Sequence, residues 1–103
     1  MSRAILQRGS VVRETEFETR GINQDGDAVD VDHYDSAPEA IARGAEMLGT
    51  DDGLGGRISA WVVERHVSYH PAHLAPRGRE PDEYTTIDSG GDVAALRAGG
   101  WIS

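Results

Sequence analysis

From Val11 to Ile22 the side chains alternate in character. Val12, Glu14, Glu16, Glu18, Arg20 and Ile22 share one face of an extended chain, and Val11, Arg13, Thr15, Phe17 and Thr19 share the other. A second alternating run ends at Tyr34, and Asp25-Gly26 lies between the two. That dipeptide favours a type I′ turn, whose two central residues both need positive φ, so a β-hairpin centred there is predicted. Strict pairing sets Ile22 against Val29 and Phe17 against Tyr34, two pairs on opposite faces. A bulge is therefore expected near His33.

The period then changes. Ser36-Ala37-Pro38-Glu39 has the form of a capping box, with Ser36 as N-cap, Glu39 three residues on, and Pro38 in the first turn, where a missing N–H costs little. Ile41, Ala45 and Leu48 follow at helical spacing, Gly44 allows close approach to a sheet, and Gly49 followed by Asp51-Asp52-Gly53 ends the helix. The run Arg57 to Tyr69, rich in Val, Trp and Tyr, predicts the central strand. Its Trp61, Val63, Val67 and Tyr69 face, with Arg65 among them, is expected under the helix. The other face, Ile58, Ala60, Val62, Glu64, His66 and Ser68, is apolar first and polar later, so its far end should reach solvent.

A wide loop runs from His70-Pro71 through Pro81, and a short strand from Glu83 to Asp88. Ser89-Gly90-Gly91-Asp92 resembles a cap before Val93-Ala94-Ala95-Leu96-Arg97, Gly99-Gly100 stops that helix, and Trp101 is placed to fold back on the core. Residues 1 to 10 read as a loose arm or an edge strand. The fold class is α+β: an antiparallel sheet of two hairpins, β-β-α-β-β, with one main helix on one face and a short C-terminal helix. All 103 residues fit one domain by size. Strand order does not follow from the pattern.

Charge sharpens the picture of the first hairpin. From Glu14 to Asp35, the carboxylates Glu14, Glu16, Glu18, Asp25, Asp27, Asp30, Asp32 and Asp35 stand against a single Arg20. Residues 1 to 52 hold twelve acidic residues against five Arg, and the remainder six against five, so of the formal charge of −8 the first half carries −7. Such a field repels nucleic acid and anionic membrane and favours a basic protein surface. No Cys is present, which excludes disulfides, thiolate nucleophiles and Cys-based metal centres. The first residues lack the apolar run of a signal peptide, and the expectation is a soluble, cytoplasmic protein.

Catalytic chemistry finds no pattern. Ser10, Ser59 and Ser89 lack a G-x-S-x-G setting, and Gly55-Gly56 and Gly90-Gly91 open no phosphate-binding loop. Asn23, Asp25 and Asp27 have alternate spacing, but Ala28 stands where the EF-hand glycine belongs, which leaves at most a weak cation site between Asp25, Asp27 and Asp30. His66, His70 and His73 would converge on a metal only if the chain turned sharply, since four strand residues span about 13 Å. His66 beside Glu64 is instead expected as a titrating pair. Neither an enzyme nor a cofactor is expected. Among the aromatics Trp61, Tyr69, Tyr84 and Trp101, most should fill the core, with Trp101 near a glycine-flanked terminus the candidate to anchor a partner.

The run Asp25 to Asp35, the capped helix and Glu83-Tyr84-Thr85-Thr86-Ile87 together resemble small acidic proteins of actinobacterial phages and mobile elements. The resemblance implies an accessory role: altering a host or phage protein, blocking a defence system, or joining an assembly. The combined expectation is a non-enzymatic module that presents Glu14, Glu16, Glu18, Asp25, Asp27, Asp30, Asp32 and Asp35 on one sheet surface to a basic protein, as a nucleic-acid mimic or inhibitor would. The alternatives are a structural or self-assembling protein, a homodimer included, and a metal-binding protein that uses its histidines.

Overall fold

The computed structural model describes residues 11–71 and 80–103. In chain order these form β1 (Val11–Ile22), β2 (Ala28–Tyr34), α1 (Ala37–Met47), β3 (Ala60–Pro71), β4 (Glu83–Gly91) and α2 (Val93–Ala98). All four strands join one antiparallel sheet in the order β2-β1-β3-β4. The α+β class and the element order are as the pattern of the chain predicts. The expected arm over residues 1–10, and His73 with most of the wide loop, lie outside the described residues. Among the described residues no helix is long and apolar enough to cross a membrane.

The first hairpin departs from prediction in its turn. Asp25 does not take positive φ; Gly26 alone in the loop does, at 92°. The connection is the five-residue loop Asn23–Asp27, closed by Asn23 N–H to Asp27 O (2.9 Å) and Gly26 N–H to Asn23 O (3.0 Å). The buried Asn23 side chain organises it, because Oδ1 accepts from the N–H groups of Asp25 and Asp27 at 3.0 and 2.9 Å. Asn favours such local bonds to the backbone ahead of it. Phe17 does pair with Tyr34, but Ile22 pairs with Ala28, and the register shift falls at Gly21/Ile22 rather than near His33. Val29 is the extra residue, next to the loop whose longer path it absorbs.

Helix α1 starts as expected. Ser36 Oγ accepts from Glu39 N–H at 3.4 Å and donates to Glu39 Oε1 at 2.8 Å. Its buried stripe, however, is Ala40, Gly44 and Met47, while Ala45 and Leu48 are exposed. The spacing is still i, i+4, i+7; the stripe has turned by one residue because the smallest side chains set the closest approach. A Cβ at Gly44 would lie 2.5 Å from Trp61 Cδ2, and one at Gly90 2.6 Å from Trp61 Nε1. The Trp61 indole thus sits in a slot that two glycines leave open. Thr19 Oγ1 donates to Ala40 O at 2.7 Å in the same interface.

Strand β3 is central and its first half is covered on both faces. On the helix face Trp61 and Val63 pack with Ala40, Phe17, Tyr34, Ile41 and Ile87. On the opposite face Ala60, Val62 and Ile22 pack under Ala95 and Leu96 of α2, with Trp101 and Ile102 closing the edge. Asp92 caps α2 by accepting from Ala94 N–H, and β4 runs on through Gly91, so Ser89 and the glycines belong to the strand and not to the cap. The second half of the α2-side face is polar as predicted but does not open to solvent as expected: Glu64 and Ser68 are half-buried and His66 and His70 are buried.

Candidate functional site

The pairing of β1 with β3 determines which side chains meet. Glu18 lies directly opposite Glu64, Glu16 opposite His66, Glu14 opposite Ser68 and Val12 opposite His70, all on the α2-side face. On β2 His33 pairs with Glu18, and on β4 Tyr84 pairs with His66. Like charges directly opposite repel, and the repulsion grows as water is excluded. Glu18 and Glu64 side chains are only 10% and 15% exposed, so neighbours must compensate.

They do so as a network. Arg20 Nη2 reaches Glu18 Oε2 at 2.5 Å and Glu64 Oε1 at 3.4 Å. His66 Nε2 lies 3.0 Å from Glu64 Oε1 and 3.4 Å from Glu18 Oε2. His33 Nε2 takes the other oxygen, Glu18 Oε1, at 3.0 Å. Tyr84 meets the His66 ring edge-on, with centroids 4.7 Å apart. The Arg20 guanidinium carbon stands 5.3 Å from the centre of a Trp101 ring. The expected contact of His66 with Glu64 is present, but it is one edge of a five-residue cluster that strand order created.

The eight hairpin carboxylates do not share one surface, which corrects the expectation. Glu14, Glu16 and Glu18 point to the α2-side face, and Glu18 is consumed by the network. Asp30 and Asp32 pair across from Gly21 and Thr19 and so lie on the helix face. There Arg43 of α1 binds Asp32 Oδ2 through Nε at 2.8 Å and stands 3.6 Å from Asp30 Oδ2. The hydrogen bond that Arg43 donates to Asp32 raises the Arg43 pKa above its ordinary value, and burial with the Asp32 charge pushes the Tyr34 phenol up from 10.0. Asp25 and Asp27 sit in the loop and do not converge with Asp30. The alternation of β2 puts its even-numbered acids opposite those of β1, because pairing joins residues whose numbers sum to an odd total.

Asp25 and Asp27 stay exposed in the loop, and a second exposed group gathers at one edge. Strand β2 stops at Tyr34, opposite Phe17, while β1 continues to Val11. Along this edge, which no described residue pairs, lies an open groove of about 560 Å³ lined by Glu14, Glu16, Asp35 and Glu39, with Thr15, Tyr34 and both His33 and His66 beside them. No arginine among the described residues pairs with these four carboxylates; Glu14 stands 3.1 Å from His70 Nε2 and Glu16 3.7 Å from His33 Nε2. His70 Nδ1 lies 3.0 Å from Pro71 O, and four strand residues, about 13 Å, separate it from His66, so among the described residues the two do not join one metal-ligating group. Trp101 is turned inward, its Nε1–H donating to Gly26 O at 2.8 Å. The sequence pattern points to Glu64 only as the neighbour of His66 and gives no sign that Glu39 or Arg20 joins a site. The only signal for the Glu18–Glu64 pair is the register of β1 on β3, which a single sequence does not give.

No family model matches the chain, and no solved structure matches it. Imidazolonepropionase of Arthrobacter sp. (strain FB24) is 37% identical over 68 residues, which cover 57% of this chain and 17% of that protein. The chain therefore spans under a fifth of the length of this relative, and the match carries neither fold nor activity across.

Proposed function

We propose that this protein is a non-enzymatic binding module whose acidic groove, along the outer edge of β1 from Val11 to Glu16, takes an extended basic segment of another protein. The observation that carries the reading is the mismatch in strand length. Opposite Phe17 the edge is paired, and before it no described residue bonds the outward backbone groups of β1. An unpaired strand edge is a template for another strand. Its side chains then select the guest. Glu14 and Glu16 on one side and Asp35 and Glu39 at the end of the groove favour Arg or Lys at alternate positions of that strand.

The same charges argue against a second copy of this chain on this edge. Antiparallel self-pairing would bring Glu14 and Glu16 of two protomers together, and like charges across a pair are destabilising. A basic partner gains where a second copy loses. Loss of the single-surface arrangement narrows the proposed footprint from eight carboxylates to Glu14, Glu16, Asp35 and Glu39, with Trp101 outside it.

The test uses a labelled peptide of alternating Arg and Val read by fluorescence anisotropy, with a Glu/Val peptide as control. Binding of the Arg peptide should weaken about tenfold or more between about 50 and about 500 mM salt. It should be abolished by Glu14→Arg with Glu16→Arg and left intact by Asp25→Arg with Asp27→Arg. Binding indifferent to salt, or lost equally with the loop variant, would overturn the reading.

A further inference from the structure

We propose that Glu18, Glu64 and His66 form a binding site for a divalent transition-metal ion, and that Arg20 occupies its cation position when metal is absent. The three residues each offer one donor atom, and the donors all lie within 4.8 Å of one another. Two separations are closer still. His66 Nε2 is 3.0 Å from Glu64 Oε1 and 3.4 Å from Glu18 Oε2. Around a tetrahedral ion bound at about 2.0–2.1 Å, neighbouring ligand atoms stand about 3.3 Å apart. These donors therefore need only small rotations to share an ion.

Their surroundings fit the same role. Adjacent strands force two carboxylates together where little water reaches them, an arrangement that requires positive charge. Arg20 supplies it now, with one nitrogen between the two carboxylate oxygens. It also has somewhere to go, because its guanidinium already lies against Trp101 and a stacked arginine keeps a favourable contact after leaving its carboxylates. His33 holds the second oxygen of Glu18, as groups behind a metal ligand do, and fixes the direction in which that carboxylate points. An opening of about 420 Å³ lined by Glu18, Arg20, His33, His66 and Tyr84 gives an ion access and leaves room for water as a further ligand. One imidazole with two carboxylates suits zinc or a similar first-row ion. Calcium, which takes six to eight oxygens, is poorly matched.

Competition between Arg20 and the ion gives this inference a signed test. Chelator-treated full-length protein is titrated with zinc chloride against a chromophoric chelator. Wild type should bind one equivalent, Arg20→Gln about tenfold more tightly or better because the competing cation is gone, and His66→Gln at least about tenfold more weakly. His70→Gln should match wild type. Should His66→Gln fail to fold, nitrogen-15 NMR of wild type decides instead: zinc must shift the His66 ring nitrogens and leave those of His70 in place. No stoichiometric binding, an Arg20→Gln variant no tighter than wild type, or a response at His70 in place of His66 overturns the proposal. The Arg-peptide experiment reads different residues, so either result stands without the other.

Discussion

Gly44 and Trp61 show how a single residue sets the depth of this fold. The helix approaches the sheet until the indole fills the space a side chain would need at position 44. Alanine there gains helix propensity of about 1 kcal/mol, but the overlap with an indole ring packed on both sides costs more. Gly44→Ala should destabilise by about 1–3 kcal/mol, measured as a lower midpoint in urea. Tyr34 gives a second outcome at this scale. Its folded-state pKa is raised from 10.0, so the folded form holds its proton where the unfolded chain has lost it. The associated stability is complete below pH 10.0 and is lost as pH climbs through the higher folded value. Alkaline unfolding curves should fall less steeply for Tyr34→Phe than for wild type over that window.

Among the elements, the helix caps follow local chemistry, whereas β3 and β4 run past their expected ends at Tyr69 and Asp88, to Pro71 and Gly91. Ser36, Asp92 and Gly99 do what their chemistry suggests, because caps are satisfied within a few residues of chain. Ser36→Ala should cost about 0.5–2 kcal/mol by thermal melting, and Ser36→Asp should restore most of it. The hairpin turn departs from type I′ because Asp25-Gly26 satisfies a local rule that Asn23 overrides from outside it. Removing its Oδ1 leaves two loop N–H groups without their acceptor. Asn23→Ala should therefore cost about 1–3 kcal/mol, and hydrogen exchange at Asp25 and Asp27 should accelerate while that of β3 stays slow. The α1 stripe turned by one residue for a related reason: hydropathy ranks Ile41 and Leu48 above Gly44, whereas close packing rewards the smaller residue.

At the scale of the whole molecule, charge is the dominant quantity. A formal charge of −8 with Glu14, Glu16, Asp35 and Glu39 crowded at one edge opposes compaction through self-repulsion, which salt screens. Glu16→Gln with Asp35→Asn should raise stability by about 0.5–1 kcal/mol at low ionic strength, and the gain should shrink in differential scanning calorimetry as salt is added. A gain that persists at high salt would mean that packing, not charge, limits this edge. The cross-strand pair Glu18–Glu64 is a different matter, since Arg20 already reaches both carboxylates and His33 and His66 lie within hydrogen-bond distance of them.

The sequence by itself determined the elements, their caps, the α+β class, the central place of β3 and the acidity of the first half. Each of these depends on periodicity or on neighbours a few residues apart. Only the tertiary structure decided that Asp30 and Asp32 turn to the helix face, that Glu18 faces Glu64, and that β1 outruns β2 beside Glu14, Glu16, Asp35 and Glu39. Strand order and register bring together residues separated by tens of positions, and no local pattern records which face of one strand will meet which face of another.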